Sequence, residues 1–598
     1  MVRVKKQKKQ KKLFFLRQFN TKKNYYKNTG NSMTKHLLII ESINKAPLLN
    51  AILNNRANGD TFHILATFGH IENLPANHIG VEPKTYYPIV ELKNYQIIQK
   101  INEISKDCKY IYLATDPDRE GESIAYSIYR HISPDAQRKS VRIVFRSLYE
   151  ILNAINSPTK IDINLVKAQM ARRVLDRLIG FGLTYSVRKQ LAGNYTVGRV
   201  QTPILKQIAD ATVKHDYNYT NRYDVHTVLD IYGSVGAASL YLQHTKSFDN
   251  LSQANAFYST ANGGPYKVSR ITKTQQSIAP PQAFNTFSMV SSGYDYHGFS
   301  AHQSMDIAQK LYEKGIITYP RTENEEIDIK HYQNMTDYIR EQYGQQYIEQ
   351  MPSNILKKTI QLSHTGIVPV DIYRKTEISD EENKLYETII NRALASVMSP
   401  AVLNIYNITI ENNKGLNETT KAADIVFDGW SKVLPDELDV PYQPLPYGIK
   451  ENMRIQKGYS TIESTQDREQ LLNDATIAKM MQEKGIGRPS TISSVISNIV
   501  NEKRNYVEKT PKGYRVTANG KRLVDFVEEK YPSIVDTDYT KKVETMLDKI
   551  SKNEADYTDT IHQALVEIKK RDGIDLSPEN IKNHYDKNII TSISDLSR

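Results

Sequence analysis

The chain has 598 residues, of which 39% are hydrophobic and 24% are charged, a balance that is ordinary for a soluble protein. Its length predicts roughly three to five domains, and no run approaches the ~20 apolar residues of a membrane helix. The single cysteine, Cys108, excludes a disulfide framework and a four-cysteine zinc site.

The net charge of +12 resides almost entirely in the first 32 residues. That stretch has 11 Lys and Arg and no Asp or Glu, so the remaining chain has 68 basic residues (79 less 11) against 67 acidic ones. Its polar, like-charged composition predicts a disordered basic leader over residues 1–32. Three interpretations stay open: an arm that tethers DNA, an upstream extension ahead of a natural start at Met33, and an organelle presequence.

Two predicted strands end in acidic residues. The run KHLLII (35–40) predicts a buried strand with Glu41 at its carboxyl end, and YIYLATDPDREGES (110–123) predicts a strand followed by Asp116, Asp118 and Glu120. Ligands of open parallel sheets bind beyond the carboxyl ends of strands, so both groups are predicted to face one crevice. Clustered carboxylates repel one another unless a cation neutralises them, and such oxygen ligands suit Mg²⁺. The alternative is a solvated acidic turn with Arg119 as its partner.

A helix with one buried face is predicted over DINLVKAQMARRVLDRLIGFGL (162–183). Arg172 and Asp176 lie four residues apart on another face, where the plain interpretation is an intrahelical ion pair. Downstream, GRVQT (198–202) predicts a Gly-lined turn whose Arg199 and Gln201 are able to approach a sugar-phosphate backbone closely.

Two segments have similar sequences: MDIAQKLYEKGIITYPRT (305–322) and ATIAKMMQEKGIGRPST (475–491). They predict two helix-turn-helix-like units, the second followed by a helix over 492–500 and a hairpin over 506–517. Arg488, Ser490 and Thr491 precede that helix, where backbone N–H groups favour phosphate. The alternative is two unrelated helix ends with EKG caps.

The first unit contains Tyr319, one of 39 tyrosines. A phenol is a weak nucleophile until cationic neighbours stabilise its anion. Arg321 lies two residues on, hence on the same side of an extended segment, and its guanidinium can fork two phosphate oxygens. The alternative for Tyr319 is a ring packed at a strand end.

An ordered series of motifs over roughly residues 35–555 resembles the type IA DNA topoisomerases, particularly the bacterial topoisomerase I group. The motifs are IIES, ATFGHIENLP, LATDPDREGES, KAQMARRVLDRLIGFGL, GRVQT, GFSAHQSMDIAQKLYEKGIITYPRTEN, SHTGIVP, VFDGW, EKGIGRPST and YTKKVETMLDKI.

The resemblance implies ATP-independent relaxation of negatively supercoiled DNA. Tyr319, with Arg321, would attack one strand, leaving a 5′-phosphotyrosine and a 3′-hydroxyl. Glu41 would protonate the leaving oxygen, and Lys45 would stabilise the transition state unless the two form only a surface ion pair. Mg²⁺ would serve rejoining. The implied metal ligands are Glu41, Asp116, Asp118 and Glu120.

By the same resemblance, the DNA-binding residues form a groove. They are His70, Arg172, Arg173, Asp176, Phe181, Arg188, Thr196, Val197, Gly198, Arg199, Val200, Gln201, His364, Arg488, Ser490 and Thr491.

The implied fold is multidomain α/β plus α+β: a Rossmann-like Toprim domain, a β-rich arch, and helical domains with winged-helix or CAP-like units, together forming a toroid. The expected bounds are 1–32 leader, 33–150 Toprim domain, 151–206 and 461–572 groove domain, 207–278 and 402–460 arch, 279–401 tyrosine-bearing domain, and 573–598 tail.

Two alternative functions stay open. The first is a topoisomerase III-like decatenase, which the sequence YPRT favours, although DREGES and GIGRPST favour topoisomerase I. The second is a catalytically silent protein that binds single-stranded DNA. We expect a monomer without zinc or membrane contact, acting on single-stranded and negatively supercoiled DNA in the cytoplasm at the nucleoid. An organelle or viral origin stays open.

Overall fold

The computed structural model describes residues 34–584, apart from 57–58, 77, 233–238, 264, 350–354, 357–364, 375–376, 441 and 456. The predicted leader (1–32), His364 and the last part of the predicted tail lie outside the described residues. Within the described part of the chain, no helix is both long and apolar enough to cross a bilayer.

The chain begins with a parallel sheet in the order β2-β1-β5-β6, beside a small antiparallel pair, β3 and β4. The strands are β1 Lys35–Ile40, β2 Thr61–Ala66, β3 Glu72–Asn73, β4 Glu91–Leu92, β5 Tyr110–Leu113 and β6 Ser140–Arg142. The helices are α1 Ala46–Arg56, α2 Tyr95–Ile104, α3 Arg119–His131, α4 Pro134–Lys139 and α5 Ile151–Asn156. β1 and β5 are neighbours, so their carboxyl ends meet at one edge, as the sequence predicts.

Two helices follow, α6 Ile163–Leu191 and α7 Gln201–Tyr217. The side chain of Asp162 accepts hydrogen bonds from the N–H groups of Asn164 and Leu165 and so caps the start of α6. Val174, Leu175 and the other apolar residues predicted to share one face of α6 are buried. α6 also packs against α3 and so joins the parallel sheet to the rest of the protein.

Long antiparallel strands carry the chain out to a helical domain and back. The outward elements are β7 Tyr219–Tyr232, β8 Ser239–Phe248, α8 Leu251–Ala261 and β9 Tyr266–Ile278. The helical domain contains α9 Thr286–His297, α10 Ala301–Glu313, β10 Ile327–Asp328, α11 Ile329–Gln342, β11 Ile355–Leu356 and α12 Asp380–Ala395. The returning strands are β12 Ala401–Asn412, β13 Asn417–Phe427, β14 Arg454–Ile455 and β15 Lys457–Arg468.

These strands form two sheets, in the orders β13-β12-β9-β14 and β15-β7-β8. β12 pairs with β9 and β15 with β7, so each sheet combines outward and returning strands. The boundary expected after residue 460 therefore falls inside β15, which continues the arch to Arg468.

The last described elements pack back on α6 and α7. They are α13 Asp474–Lys484, α14 Ile492–Ile499, β16 Val507–Thr510, β17 Gly513–Val516, α15 Ala518–Lys530, α16 Pro532–Val535, α17 Thr537–Ser551, α18 Tyr557–Asp572 and α19 Pro578–His584. The predicted helix over 492–500 and the predicted hairpin over 506–517 are both present. α17 and α18 lie on α6, so two distant parts of the chain build one helical domain.

The two EKG sequences end α10 and α13 in the same way. Gly315 and Gly485 follow those helices with φ of 69° and 64°, a left-handed conformation that glycine adopts without steric cost. Gly315 also lies at a domain contact: an added Cβ would stand 2.5 Å from Leu48 Cδ2 and 2.9 Å from Tyr149 Cε2. The first EKG turn therefore packs directly against the parallel-sheet domain.

Candidate active site

The site is built at the carboxyl edge of the parallel sheet. The chain after β2 follows β1 beyond its end, because the Phe68 N–H donates to the Glu41 carbonyl at 2.9 Å. After β5, the Asp118 carboxylate accepts the Gly121 N–H at 2.7 Å and caps α3. The turn is tight at Gly121, where an added Cβ would stand 2.1 Å from the Asp116 carbonyl oxygen.

Tyr319 enters this edge from the helical domain. Its hydroxyl donates to Asp118 Oδ2 at 2.6 Å, and its N–H donates to the Arg146 carbonyl at 3.0 Å. Only 2% of the residue is exposed. Burial, followed by the Asp118 and Asp116 charges, raises the pKa of Tyr319 well above its usual value, against the opposing effect of Arg321. The phenol is therefore protonated and screened from water in this state.

Two cations pair with the carboxylates at this edge. Arg321 Nη1 lies 3.9 Å from Asp118 Oδ2, the oxygen that accepts the Tyr319 proton. Lys45 is fully buried and forms an ion pair with Asp116, and its Nζ lies 5.1 Å from the centre of the Tyr312 ring. The alternative of a surface pair between Lys45 and Glu41 is therefore wrong, since the Lys45 side chain does not reach the surface.

Glu41 lies at the same edge, directly after β1. Burial and the neighbouring Asp116 and Asp118 charges raise its pKa to about 8, although Lys45 opposes the shift. A carboxyl group with this pKa holds its proton at neutral pH and is matched to donate it there.

The carboxylates fit a divalent cation by charge and donor type. Besides burial, the negative charges of Asp116 and Asp118 raise the pKa of Glu41, and a hard cation would relieve this repulsion. In this state Asp116 is paired with Lys45, Asp118 with Tyr319, and Glu120 with His70 at 3.4 Å. Among the described residues, no three His, Cys, Asp or Glu side chains converge into a ready-made metal site. Binding would therefore require some of these pairs to open.

A second charged centre lies in the groove around Glu544 of α17. Glu544 Oε1 lies 2.7 Å from Arg199 Nη1 and 3.9 Å from Arg172 Nη2, and Oε2 lies 3.6 Å from Arg488 Nε. Although burial opposes ionisation, these three cations hold the pKa of Glu544 at about 2. The carboxylate therefore stays charged at neutral pH and draws together three of the predicted DNA-binding residues.

Asp548, one helical turn along α17, links the domains. Its Oδ1 accepts from Arg119 Nη2 at 2.6 Å, and its Oδ2 accepts from Arg488 Nη2 at 2.7 Å. Arg488 Nε also lies 3.4 Å from the carboxylate of Glu323, four residues after Tyr319. The pairs join the parallel-sheet domain, the groove and the tyrosine-bearing segment.

The predicted ion pair of Arg172 and Asp176 is present, with 3.7 Å between Nε and Oδ2. Asp176 is shared, because Arg199 Nε donates to its Oδ1 at 2.9 Å. Arg172 Nη2 also donates to Thr491 Oγ1 at 3.4 Å, and Ser490 beside it is exposed. The structure thus brings the first and second halves of the predicted groove together.

The GRVQT turn is fixed by hydrogen bonds within the protein. The Thr196 N–H donates to Tyr506 Oη at 2.7 Å, and the Val197 N–H donates to Thr184 Oγ1 at 3.0 Å. The Gly198 N–H donates to the Thr202 hydroxyl at 3.1 Å.

Side chains around this turn are also held by the protein. Gln201 Nε2 donates to the Thr196 carbonyl at 3.2 Å, Arg188 Nε donates to the Tyr195 carbonyl at 2.7 Å, and Val200 is buried. The turn is therefore preorganised.

Two predicted groove residues have other surroundings. Arg173 donates to Asn73, the last residue of β3. Phe181 is only 5% exposed, and the Arg177 guanidinium lies 4.0 Å from its ring centre. In this state the Phe181 ring packs in the interior and does not line an open groove.

Sequence reasoning missed Glu544 and Asp548, although their motif was recognised. The available signal was their spacing: two acids four residues apart in YTKKVETMLDKI lie on one helix face.

A family model described as DNA topoisomerase matches residues 160–562, and one described as Toprim domain matches residues 36–148. The chain belongs to the DNA topoisomerase family. It is 29% identical over 548 residues to DNA topoisomerase 1 of Aquifex aeolicus, across 89% of this chain and 98% of that protein. DNA topoisomerase 1 of Rickettsia bellii is 31% identical over 557 residues, across 86% of this chain and 68% of that protein.

Full-length topoisomerase I from Thermotoga maritima has a TM-score of 0.75 to this chain at 25% identity, covering 92% of this chain and 90% of that one. The predicted resemblance is thus confirmed. Membership makes the chain an isomerase of the type IA class, which relaxes DNA by cutting one strand, with the multidomain toroidal fold of that class. Toprim domains of topoisomerases bind Mg²⁺, and this chain contains such a domain.

Proposed function

We propose that Tyr319 is the nucleophile by which this topoisomerase cuts and reseals one DNA strand. The observation that carries the proposal is the hydrogen bond from the Tyr319 hydroxyl to Asp118 at the carboxyl edge of the parallel sheet, beside Arg321 and the protonated Glu41. A nucleophile, a proton acceptor, a cation and an acid in one crevice are the groups that phosphoryl transfer requires.

In the proposed cleavage step, the Tyr319 oxygen forms a bond to phosphorus while the bond from phosphorus to the 3′-oxygen breaks. Asp118 takes the phenol proton, and Glu41 gives its proton to the departing 3′-oxygen. Arg321 and Lys45 stabilise the negative charge on the phosphoryl oxygens. Rejoining reverses these transfers, so the cycle conserves the bond energy and needs no ATP.

Glu41, Asp116, Asp118 and Glu120 are the residues that would hold Mg²⁺. When bound, the ion would supply a positive charge that offsets the clustered carboxylates and orients phosphate during rejoining. Displacement of Lys45 from Asp116, or of His70 from Glu120, would free the oxygens for this role.

Single-stranded segments of negatively supercoiled DNA are the proposed substrate. Arg172 and Arg488 lie in one groove, where their guanidiniums offer phosphate contacts, whereas the fully buried Arg199 is held by Glu544 and, contrary to the sequence prediction, does not reach the surface. We further propose that the protein acts as a monomer at the nucleoid, with the domain bounds given above and the arch extended to Arg468.

Mapping the covalent adduct tests the proposal. We expect denaturant to trap a 5′-labelled DNA fragment on the wild type, with the nucleotide on the Tyr319 peptide, and Tyr319→Phe to lose all cleavage while still binding DNA. Tyr312→Phe is the matched control, because this buried ring lies 5.2 Å from that of Tyr319. An adduct on Tyr312, or on neither residue, would overturn the assignment.

A further inference from the structure

Phe68 stands out among the residues around the site by its exposure and its backbone conformation. It is 72% exposed, although it follows a strand whose last residue is buried. Its φ is 57° and that of Gly69 is 94°, so two consecutive left-handed residues present the ring at a sharp bend. A bulky residue with positive φ is a steric outlier, and such outliers cluster at functional sites.

The bend belongs to the active-site edge. The Phe68 N–H donates to the carbonyl of Glu41, the proposed acid, at 2.9 Å, and Thr67 donates to Ile40 at 2.9 Å. Two residues beyond Phe68, His70 Nε2 lies 3.4 Å from the carboxylate of Glu120. The backbone that presents the ring is therefore fixed on both sides to groups of this crevice.

The groups proposed to act on the phosphate, the proton or the metal at this edge are all charged or polar. Phe68 offers a bare aromatic face, which suits a nucleobase better than a sugar-phosphate backbone. Glycine would adopt this backbone conformation without strain, so the fold itself does not require a ring here.

We propose that Phe68 stacks on one unpaired base of the bound strand next to the scissile phosphate, and so fixes the strand's register over Tyr319. This inference rests on the proposed function, because it needs a single strand in the crevice. Phe68 acts as a positioning residue for the strand and transfers no proton.

Three variants test the role of the ring. Phe68→Leu keeps an apolar side chain but removes the aromatic face, and Phe68→Tyr keeps the face. Tyr110→Leu is the matched control, because Tyr110 begins β5 and is 42% exposed at the opposite edge of the same sheet. The readout is the Kd for a fluorescent single-stranded oligonucleotide, together with the melting temperature of each variant.

We expect Phe68→Leu to raise Kd about 5- to 150-fold, the range for loss of one base–aromatic stack, whereas Phe68→Tyr and Tyr110→Leu should bind as the wild type does. The salt dependence of binding should be unchanged, since no phosphate contact is lost. Wild-type affinity in Phe68→Leu would overturn the proposal.

An abasic scan gives an independent test that depends on no variant's stability. With the wild type, removing one particular base near the cleavage point should weaken binding as much as Phe68→Leu does. In Phe68→Leu the same abasic site should cost nothing further. Equal effects at every position in the wild type, or additive losses in the variant, would refute stacking. The Tyr319 adduct is measured separately, so a failure here leaves the proposed nucleophile standing.

Discussion

At the scale of single residues, the site pairs a buried phenol with a half-buried carboxyl group, both protonated at neutral pH. The sequence predicted Glu41 at a strand end and Tyr319 beside Arg321, because apolar runs and turn motifs locate strand ends. It did not predict which group holds a proton, since that depends on burial and on Asp116 and Asp118, which only folding brings near Glu41.

The protonated state of Glu41 predicts the pH dependence of cleavage. Single-turnover cleavage should fall as the pH rises through about 8, because the proposed acid loses its proton there. Glu41→Gln should cleave about 10²- to 10⁴-fold more slowly and lose this pH dependence. Glu91→Gln, at a solvent-exposed position in the same domain, is the control and should keep the wild-type profile.

The free energy of unfolding should also depend on the ionisation of Glu41. The folded-state pKa of Glu41 lies above the ordinary 4.5, so the folded state binds the extra proton between these values. The stabilisation is present below about 4.5 and is lost as pH rises through about 8. For cleavage, a Glu41→Gln variant that keeps the wild-type pH profile would contradict the assignment of Glu41 as the acid.

At the scale of elements, α17 carries the acids that hold the groove's arginines in place. Helical periodicity predicted α6 and the pair of Arg172 and Asp176, because these are local properties of one helix. Glu544 could not be assigned in the same way, since its partners Arg172 and Arg199 lie on segments far away in the sequence. Their contact exists only after α17 packs on α6.

Removing the Glu544 charge should weaken this assembly strongly. We expect Glu544→Gln to lower the free energy of unfolding by about 3–5 kcal/mol, because it leaves buried guanidiniums uncompensated. Asp548→Asn, at a more exposed carboxylate on the same helix, should cost less. Urea unfolding at neutral pH measures both, and equal small losses would show that Glu544 is not the anchor.

Lowering the pH should remove the stabilisation that the Glu544 charge provides. The pKa of Glu544 is lowered to about 2 from the ordinary 4.5, so its contribution is present above about 4.5 and is lost as pH falls toward 2. Unfolding curves of Glu544→Gln should therefore lack this part of the acid sensitivity of the wild type.

At the scale of the whole molecule, the tyrosine-bearing segment packs directly on the parallel-sheet domain. Tyr319 reaches Asp118 and Arg146 there, and Gly315 packs on Leu48 and Tyr149. The repeated EKG predicted two helix ends, and both are present. The sequence did not predict that the helix end at Gly315 lies at a domain contact, because this depends on how two domains pack together.

A single methyl group at Gly315 should hold this contact apart. Its Cβ would stand 2.5 Å from Leu48, so Gly315→Ala should displace Tyr319 from Asp118 and slow single-turnover cleavage by about 10²-fold. Gly298→Ala is the matched control, because its φ is also 69° but nothing lies within 4 Å of the added Cβ. Both variants carry the same backbone strain, so equal cleavage rates would show that the contact does not matter.

The burial of Tyr319 has a consequence for the order of events. Because only 2% of Tyr319 is exposed to solvent, no DNA strand reaches its hydroxyl oxygen while the tyrosine-bearing and parallel-sheet domains stay in contact. With Tyr319 as the proposed nucleophile, the domains must separate and admit DNA before each break. Confinement of the proposed nucleophile would therefore prevent untimely cleavage as well as contribute to packing.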